Sequence, residues 1–224
     1  MSLRNVIAID GPAASGKSTI AQKVADRLGG IYISTGNMYR AITLFLMKNK
    51  LNLDSDIDPD QVNSILKKLS LSYTKDSNGK LNLMTNGKAV DSEIRSPDVA
   101  RHVSKIAAMA NVRAWLIEKQ RELASLGLVV MEGRDIGTII FPDAKYKFFL
   151  TASPEVRARR RLAQTGETIE GSTVASVARE IAARDEMDSK RKVAPLKKAD
   201  DAIFIDSSEM TIDEVVNQIV SSIK

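Results

Sequence analysis

The chain has 224 residues, of which 43% are hydrophobic, so it is long enough to bury a substantial core. It has no cysteine and one histidine, which excludes disulfides and thiolate zinc sites and leaves any catalysis to Lys, Arg, Asp, Glu, hydroxyl groups or backbone amides. The net charge of +5 suits an anionic ligand, but it does not choose among nucleotide, nucleic acid and membrane surface.

A glycine-rich loop follows the first predicted strand, the apolar run at 6–9. The loop has the pattern G-x-x-x-x-G-K-[ST], in which backbone amides wrap a phosphate at the N-terminus of a helix. We expect Lys17 to reach the β- and γ-phosphates of ATP and Ser18 to offer its hydroxyl to Mg²⁺. The pattern occurs by chance on the order of one time in a hundred in a chain of this length. The predicted ATP-binding residues of the loop are Gly11, Pro12, Ala13, Ala14, Ser15, Gly16, Lys17, Ser18 and Thr19.

Four further apolar runs, at 31–34, 128–131, 147–150 and 202–205, predict the other strands of one sheet. Helical patterns separate most of these runs, which predicts an α/β fold with a five-stranded parallel sheet and helices on both faces. The predicted helix starts carry capping signals, namely Ser96 before Pro97, Ser153 before Pro154, and Thr211 with Glu214 as a capping box. The helix that begins at Thr211 is expected to close the fold.

Residues 69–91 break this alternation. They contain two Asn-Gly pairs, Asn78-Gly79 and Asn86-Gly87, each flanked by residues with strand character. This pattern predicts a small antiparallel three-stranded meander. It is either a substrate-binding subdomain or a surface insertion without a role.

Basic residues cluster at 157–161 and 190–192, in segments with helical patterns, where they could simply form solvated helix faces. Helical spacing places Arg184, Asp188 and Arg191 at i, i+4 and i+7, on one face. Two guanidinium groups there could clamp phosphates while Asp188 orients them or accepts a sugar hydroxyl. The alternative is a solvated ladder of ion pairs.

These features favour a small-molecule kinase over other nucleotide-binding classes. The Asn49-Lys50 pair lacks the Asp that completes a guanine-reading pattern, which disfavours a GTPase. A kinase for another acceptor, such as a different nucleotide or shikimate, stays open, as does a nucleotide-dependent RNA-binding module. Aromatic residues make up only 4% of the chain, so we expect no nucleic-acid partner. No apolar run approaches ~20 residues and no signal-peptide core is present, so we expect a cytoplasmic protein without a membrane partner.

Five segments together resemble the bacterial cytidylate kinases over essentially the whole chain: "IDGPAASGKST", "STGNMYRA", "EGRDIGTIIFPDA", "RDEMDSKRKVAPL" and "ADDAIFIDSS". The resemblance implies a P-loop nucleoside monophosphate kinase fold with a core domain at 1–36 and 97–224 and a short lid at about 157–180. It also implies a monophosphate-binding insertion at 37–96 that carries the meander. The implied reaction is transfer of phosphate from ATP to CMP or dCMP with Mg²⁺, in pyrimidine nucleotide salvage and supply. We expect a monomer.

The resemblance also implies roles for individual residues. The implied catalytic residues are Lys17, Arg134, Arg184, Asp188 and Arg191. The implied acceptor-binding residues are Thr35, Tyr39, Arg40, Ser104, Arg113, Arg134, Asp135, Arg184, Asp188 and Arg191. At least one lid arginine is expected to reach ATP on closure, and the candidates are Arg157 and Arg161, with Arg160 beside them. The acceptor phosphate is already an anion, so no general base is needed.

Three positions near the implied acceptor site carry a carboxylate here or commonly do so in the family. The family commonly has Asp-Thr-Gly or Asp-Ser-Gly where this chain has Ser34-Thr35-Gly36, which leaves the hydrogen bonds around the acceptor open. Glu132 either helps to place Mg²⁺ through water or only holds its loop. Asp135 can accept a hydrogen bond from the exocyclic amine of cytosine, whereas uracil has a carbonyl there. We therefore expect CMP to be preferred over UMP.

Overall fold

The computed structural model describes residues 5–77, 81–90, 92–164, 168 and 170–223, and it alternates strands and helices along most of the chain. The elements are β1 (Val6–Asp10), α1 (Lys17–Leu28), β2 (Ile31–Ser34), α2 (Thr35–Lys48), α3 (Pro59–Leu66), β3 (Leu71–Lys75), β4 (Leu81–Thr85), β5 (Lys88–Ala89), α4 (Pro97–Ala108), α5 (Ala110–Glu122), β6 (Val129–Gly133), β7 (Tyr146–Thr151), α6 (Pro154–Leu162), α7 (Val174–Lys190), β8 (Ile203–Asp206) and α8 (Ile212–Ser221). Short 3₁₀ turns lie at Ser92–Arg95 and Leu123–Leu126, and a π-helical turn at Ile136–Ile140.

The predicted parallel sheet is confirmed, with strand order β2-β6-β1-β7-β8. Strand β1 is central and every residue in it is buried, which is why it appears in the sequence as an unbroken apolar run. In the register of the sheet, Asp10 lies opposite Gly133 and Ser34 lies opposite Glu132. The carboxyl ends of β1, β2 and β6 therefore meet at one edge, where ligands bind in open α/β sheets.

Helices cover both faces of this sheet. On one face, α1 and α8 pack on β1 and β7 through residues such as Ile20, Val24, Val216 and Ile219. On the other face, the turn Ile136–Ile140 packs on β1, β2 and β6. A further apolar core joins α2, α3, α4 and α5. All three predicted caps are present: Ser96, Ser153 and Thr211 each accept a backbone N–H in the first turn of α4, α6 and α8.

The predicted meander is also confirmed, as an antiparallel sheet of order β3-β4-β5. Asn86 and Gly87 connect β4 to β5, and both have positive φ, of 49° and 75°, as a tight hairpin turn requires. The other pair, Asn78-Gly79, lies outside the described residues. Tyr73 and Leu83 pack the meander against the core of α2 to α5. The expected division into core, insertion and lid stays a prediction.

Two helices end where the sequence pattern did not predict it. The pattern that begins at Ser96 continues to residue 110, but the chain turns at Met109, with ψ of 123°, between α4 and α5. Helix α7 ends at Lys190, and Arg191 is its C-cap. The N–H of Arg191 still donates to Met187 O at 3.1 Å, and Arg191 lines the same cavity as Arg184 and Asp188. The Nε of Arg191 donates to Ala194 O at 2.5 Å, which accompanies the turn of the chain there.

The single histidine of the chain lies in helix α4. His102 is buried, with Nδ1 2.8 Å from Asp98 O and Nε2 3.1 Å from an oxygen of Asp54, so its contacts are structural. Within the described ranges, no helix combines the length and the hydropathy that crossing a bilayer requires.

Candidate active site

The phosphate loop leaves β1 at Gly11 and enters α1 at Gly16. Gly11 has φ of 152°, and a Cβ there would lie 2.0 Å from Leu150 O, so no other residue fits. Gly16, with φ of 90°, is the N-cap of α1 and has no side chain to occupy the first N–H groups of the helix. These groups and the helix dipole are therefore available to an anion.

Lys17 lies folded across this loop. Its Nζ donates to Pro12 O at 2.6 Å and to Ser15 Oγ at 3.1 Å. Burial and, to a lesser extent, the nearby Arg134 together lower the pKa of Lys17 to about 7, while Glu132 opposes the change. A bound phosphate would restore the charged form, because an opposite charge stabilises the ammonium.

A cavity of about 510 Å³ opens over the loop. Its lining residues come from the phosphate loop, the ends of the sheet, helices α2, α6 and α7 and the meander; among them are Ala13 to Thr19, Arg40, Tyr73, Asn82, Glu132, Arg134, Arg161 and Arg184. The meander thus faces the phosphate loop. Of the three lid arginines, Arg161 lines this cavity.

A smaller second cavity, of about 50 Å³, lies beside the first. It brings together most of the predicted acceptor residues: Thr35, Tyr39, Ser104, Arg113, Arg134, Asp135, Arg184, Asp188 and Arg191. The predicted acceptor residue Arg40 lines the larger cavity instead, and its Nη1 donates to Ile94 O at 3.0 Å. Arg134 and Arg184 line both cavities, so their guanidinium groups stand between the two.

The second cavity contains buried carboxylates paired with arginines. Asp135 pairs with Arg113 and lies 3.6 Å from Arg191, and Asp188 accepts from Arg134 Nε at 2.9 Å. Burial raises the pKa of Asp188, but Arg134, Arg184 and Arg191 outweigh burial and hold the pKa below its usual value. Asp188 is therefore ionised at neutral pH.

Three polar atoms of this cavity are buried without a hydrogen-bond partner in the described part of the chain: Ser104 Oγ, Arg184 Nε and Arg191 Nη2, the last of which lies 3.6 Å from Asp135 Oδ1. Burial and, to a lesser extent, the like charges of Arg134 and Arg40 together lower the pKa of Arg184 to about 9. Buried polar groups without partners are rare, and a buried cation beside another cation is costly. Both observations indicate a polar, anionic ligand at this place.

Glu132, at the end of β6, links the two sides of the site. Its Oε1 accepts from Ser18 Oγ at 3.1 Å and from Ser34 Oγ at 2.5 Å, and its backbone carbonyl accepts from Thr35 Oγ1 at 2.9 Å. Ser34 also caps α2, because its Oγ accepts from Asn37 N at 3.3 Å. An ionised Asp at position 34 could cap the helix, but it could not donate to Glu132. The serine therefore changes the hydrogen-bonding pattern and not only the charge.

The hydroxyl of Ser18 and the carboxylate of Glu132 are hard oxygen donors of the kind that Mg²⁺ takes. Mg²⁺ in nucleotide sites commonly uses one or two protein oxygens and completes its coordination with phosphates and water. The residues present fit that ion. Across the described ranges, no group of three or more His, Cys, Asp or Glu side chains is placed to hold a metal.

Two acidic residues of the site were missed by the sequence analysis. Asp185 accepts from Ala13 N at 2.9 Å and pairs with Arg157. Arg157 in turn donates to Ala13 O at 3.1 Å, so it supports the phosphate loop from behind. The carboxylate of Asp10 accepts from Ile136 N at 2.8 Å and Gly137 N at 2.7 Å. No local spacing signals these contacts, because the partners lie more than 120 positions away in the sequence.

A central parallel strand that runs into a glycine-rich anion loop, beside a second cavity walled by arginines, defines the class of P-loop kinases. Within that class, the chain belongs to the cytidylate kinase family. The model of the family described as "Cytidylate kinase" matches residues 7–224, so the resemblance of the five quoted segments is confirmed.

Curated cytidylate kinases also match this chain over almost its full length. The chain is 48% identical to a cytidylate kinase of Clostridium botulinum (strain Loch Maree / Type A3) over 97% of both chains. It is 47% identical to one of Desulforamulus reducens, over 99% of this chain and 97% of the relative. A solved shikimate kinase from Bacteroides thetaiotaomicron covers 97% of both chains at 12% identity with a TM-score of 0.45, a likeness too weak to support an argument.

Proposed function

We propose that this protein transfers the γ-phosphoryl group of ATP to CMP and dCMP, giving CDP and dCDP, with Mg²⁺. The observation that carries this proposal is the position of Arg134 and Arg184, which line both the cavity over the phosphate loop and the cavity with Asp135. Two phosphates approaching from opposite sides would meet at these guanidinium groups. Membership of the cytidylate kinase family supports the choice of nucleotide.

The donor triphosphate lies along the phosphate loop. The free N–H groups at the start of α1 bind its phosphate oxygens, and Lys17 turns from Pro12 O and Ser15 Oγ toward the β- and γ-phosphates. Ser18, oriented by Glu132, holds Mg²⁺, which when bound neutralises charge on the β- and γ-phosphates. Arg161, which lines the same cavity, adds positive charge from the lid side.

The acceptor lies in the smaller cavity. Its phosphate exchanges water for Arg134, Arg184 and Arg191. An oxygen of this phosphate attacks the γ-phosphorus of ATP in line, and ADP leaves, because both phosphates are fixed by groups already in place. Asp135 accepts from the exocyclic amine of cytosine, and the unpartnered Ser104 Oγ is available to the base. Asp188 keeps the arginines in position and can accept from a sugar hydroxyl.

An acceptor panel tests this function. CMP, dCMP, UMP, AMP, GMP and shikimate are each offered with Mg²⁺-ATP, and ADP formation is followed in a coupled assay. We expect CMP and dCMP to be turned over far better than UMP. Salt-sensitive RNA binding without CMP-dependent ADP formation would contradict the proposal.

Variants of Asp135 test the base contact. We expect Asp135→Ala to lower kcat/KM for CMP much more than for UMP, because only cytosine donates to that carboxylate. Asp135→Asn keeps the shape of the side chain and guards against a loss of folding. Asp143→Asn, an exposed acid after the same turn, is the matched control and should change neither value. Equal losses on CMP and UMP would contradict the role of Asp135.

The cytoplasmic location, the monomeric state and the division into core, insertion and lid belong to the same proposal. The placement of Tyr73 and Asn82 on the wall of the phosphate cavity supports a role for the insertion in substrate binding. Gel filtration and fractionation of cells that express the protein test the first two points.

A further inference from the structure

The turn that carries Asp135 is capped in an unusual way. Asp135 is the N-cap of the π-helical turn Ile136–Ile140, and an Asp at that place commonly accepts the first backbone N–H groups with its side chain. Here the side chain of Asp135 makes no such bond and pairs with Arg113 and Arg191 instead. Its carboxylate thus faces the cavity proposed for the nucleotide base.

The first N–H groups of the turn are bound by another residue. Asp10 Oδ1 accepts from Ile136 N at 2.8 Å, and Asp10 Oδ2 accepts from Gly137 N at 2.7 Å. Asp10 is the last residue of β1, and its side chain is buried. Because each oxygen holds a different amide, the carboxylate fixes both the position and the orientation of the turn.

We propose that Asp10 is a positioning residue for nucleotide selectivity, because it caps the base-reading turn in place of Asp135 and so frees the carboxylate of Asp135 to bind cytosine. This inference rests on the function proposed above. It assigns Asp10 no contact with substrate. Its effect passes through the backbone of Ile136, the neighbour of Asp135.

The packing around the turn leaves little room for it to move. A Cβ on Gly137 would lie 3.1 Å from Lys147 Cδ and 3.4 Å from Asp10 Oδ2. Lys147 is itself held, with Nζ 2.8 Å from Asp201 Oδ2. The turn thus sits between a fixed lysine stem and the Asp10 carboxylate, and a change at Asp10 moves Asp135 rather than being absorbed nearby.

The variant Asp10→Asn tests the inference. The amide keeps one acceptor oxygen but presents its NH₂ donor to the other backbone N–H, so one of the two bonds is lost. We expect the ratio of kcat/KM for CMP to that for UMP to fall about tenfold, roughly one lost hydrogen bond, mainly through a higher KM for CMP. The KM for ATP should stay unchanged. If Asp10 had only a structural role, the variant would lower kcat/KM for CMP and for UMP alike and leave their ratio unchanged.

Two further variants keep the test decisive. Asp206→Asn is the matched control, because Asp206 also ends a strand of this sheet and accepts from a backbone amide, Ser208 N at 2.9 Å, outside both cavities. It should leave the ratio unchanged. If Asp10→Asn does not fold, Gly137→Ala displaces the same turn, because its Cβ would lie only 3.1 Å from Lys147 Cδ, and it should lower the same ratio.

The outcomes separate the two proposals. A wild-type protein that does not prefer CMP overturns the proposed function. A wild-type protein that prefers CMP, with an unchanged ratio in Asp10→Asn or, where that variant does not fold, in Gly137→Ala, overturns the role of Asp10 alone.

Discussion

The buried ion pair between Asp185 and Arg157 connects α7 to the phosphate loop, and Asp185→Asn tests what that connection is worth. Asp185 Oδ1 accepts from Ala13 N at 2.9 Å, while the other oxygen pairs with Arg157. The side chains are only 17% and 9% exposed, respectively. The asparagine keeps the bond to Ala13 through its amide oxygen. It removes the charge and turns an NH₂ donor toward Arg157 Nη1, so the ion pair and its hydrogen bond are both lost.

The expected loss of stability follows from the charge of Arg157, which stays buried without its partner. Removing one partner of a buried ion pair costs about 3–5 kcal/mol, because the other charge stays buried and uncompensated. The partial exposure of Asp185 favours the lower end, about 3 kcal/mol. For a chain of this size such a loss lowers Tm by about 6–12 °C. The KM for ATP should rise more than the KM for CMP, since the loop and not the acceptor cavity loses its support.

Glu186, the residue after Asp185, supplies a matched control. Glu186 pairs with Lys190 at 2.6 Å, but both side chains are more than 60% exposed. Glu186→Gln should therefore change the stability very little. Urea unfolding, thermal unfolding and the two KM values are measured for both variants. In the double variant Arg157→Met with Asp185→Asn, part of the loss should be recovered, because no buried charge is left unpaired. If Asp185→Asn and Glu186→Gln behave alike, the reasoning is refuted.

Three further predictions concern Lys17, at the start of α1, and Ser34 and Asp10, at the ends of β2 and β1. Lys17→Ala should lower kcat by about 10²- to 10³-fold with the circular dichroism spectrum unchanged, because a preorganised positive charge is lost; a near-normal rate in the coupled assay would refute its role. Ser34→Asp places a second carboxylate beside Glu132, and two like charges ~4 Å apart repel by about 4 kcal/mol at an effective dielectric constant of ~20. Its Tm should fall at pH 8 and recover on adding Mg²⁺-ATP or on combining it with Glu132→Gln; a Tm equal to wild type at pH 8 would contradict the geometry. Burial raises the pKa of Asp10 to about 7, above its value of 3.8 in the unfolded chain, so its burial costs stability progressively as pH rises from 4 to 7. The Tm of Asp10→Asn relative to wild type should therefore increase from pH 5 to pH 8, and a constant difference would argue against that pKa.

Much of the fold could be predicted from the sequence because its signals are local. Strands of the parallel sheet are buried on both faces and appear as continuous apolar runs. The caps of α4, α6 and α8 lie within three residues of the amides they bind. Asn86-Gly87 fixed the hairpin by its backbone preference alone.

The break at Met109 is accompanied by a side-chain contact across the turn. Arg113 Nη1 donates to Ala107 O at 3.1 Å, so a side chain binds a carbonyl at the end of α4. The same arginine pairs with Asp135. The end of one helix and the position of an acceptor-cavity arginine are thus set together, through a tertiary contact. For the same reason Asp10 and Asp185 were missed, since each holds backbone amides from a distant part of the chain.

The acidic residues of the site divide into two groups with different tasks. Asp10 and Asp185 bind backbone amides and hold the loops, whereas Asp135 and Asp188 pair with arginines inside the acceptor cavity. Those arginines are thus already desolvated and oriented in the free protein. In the function that we propose, the acceptor phosphate meets charges whose burial was compensated during folding, so little of its binding energy is lost to reorganisation. A site of this kind stabilises the transferring phosphoryl group by position and charge, which explains how phosphoryl transfer can proceed here without a histidine base.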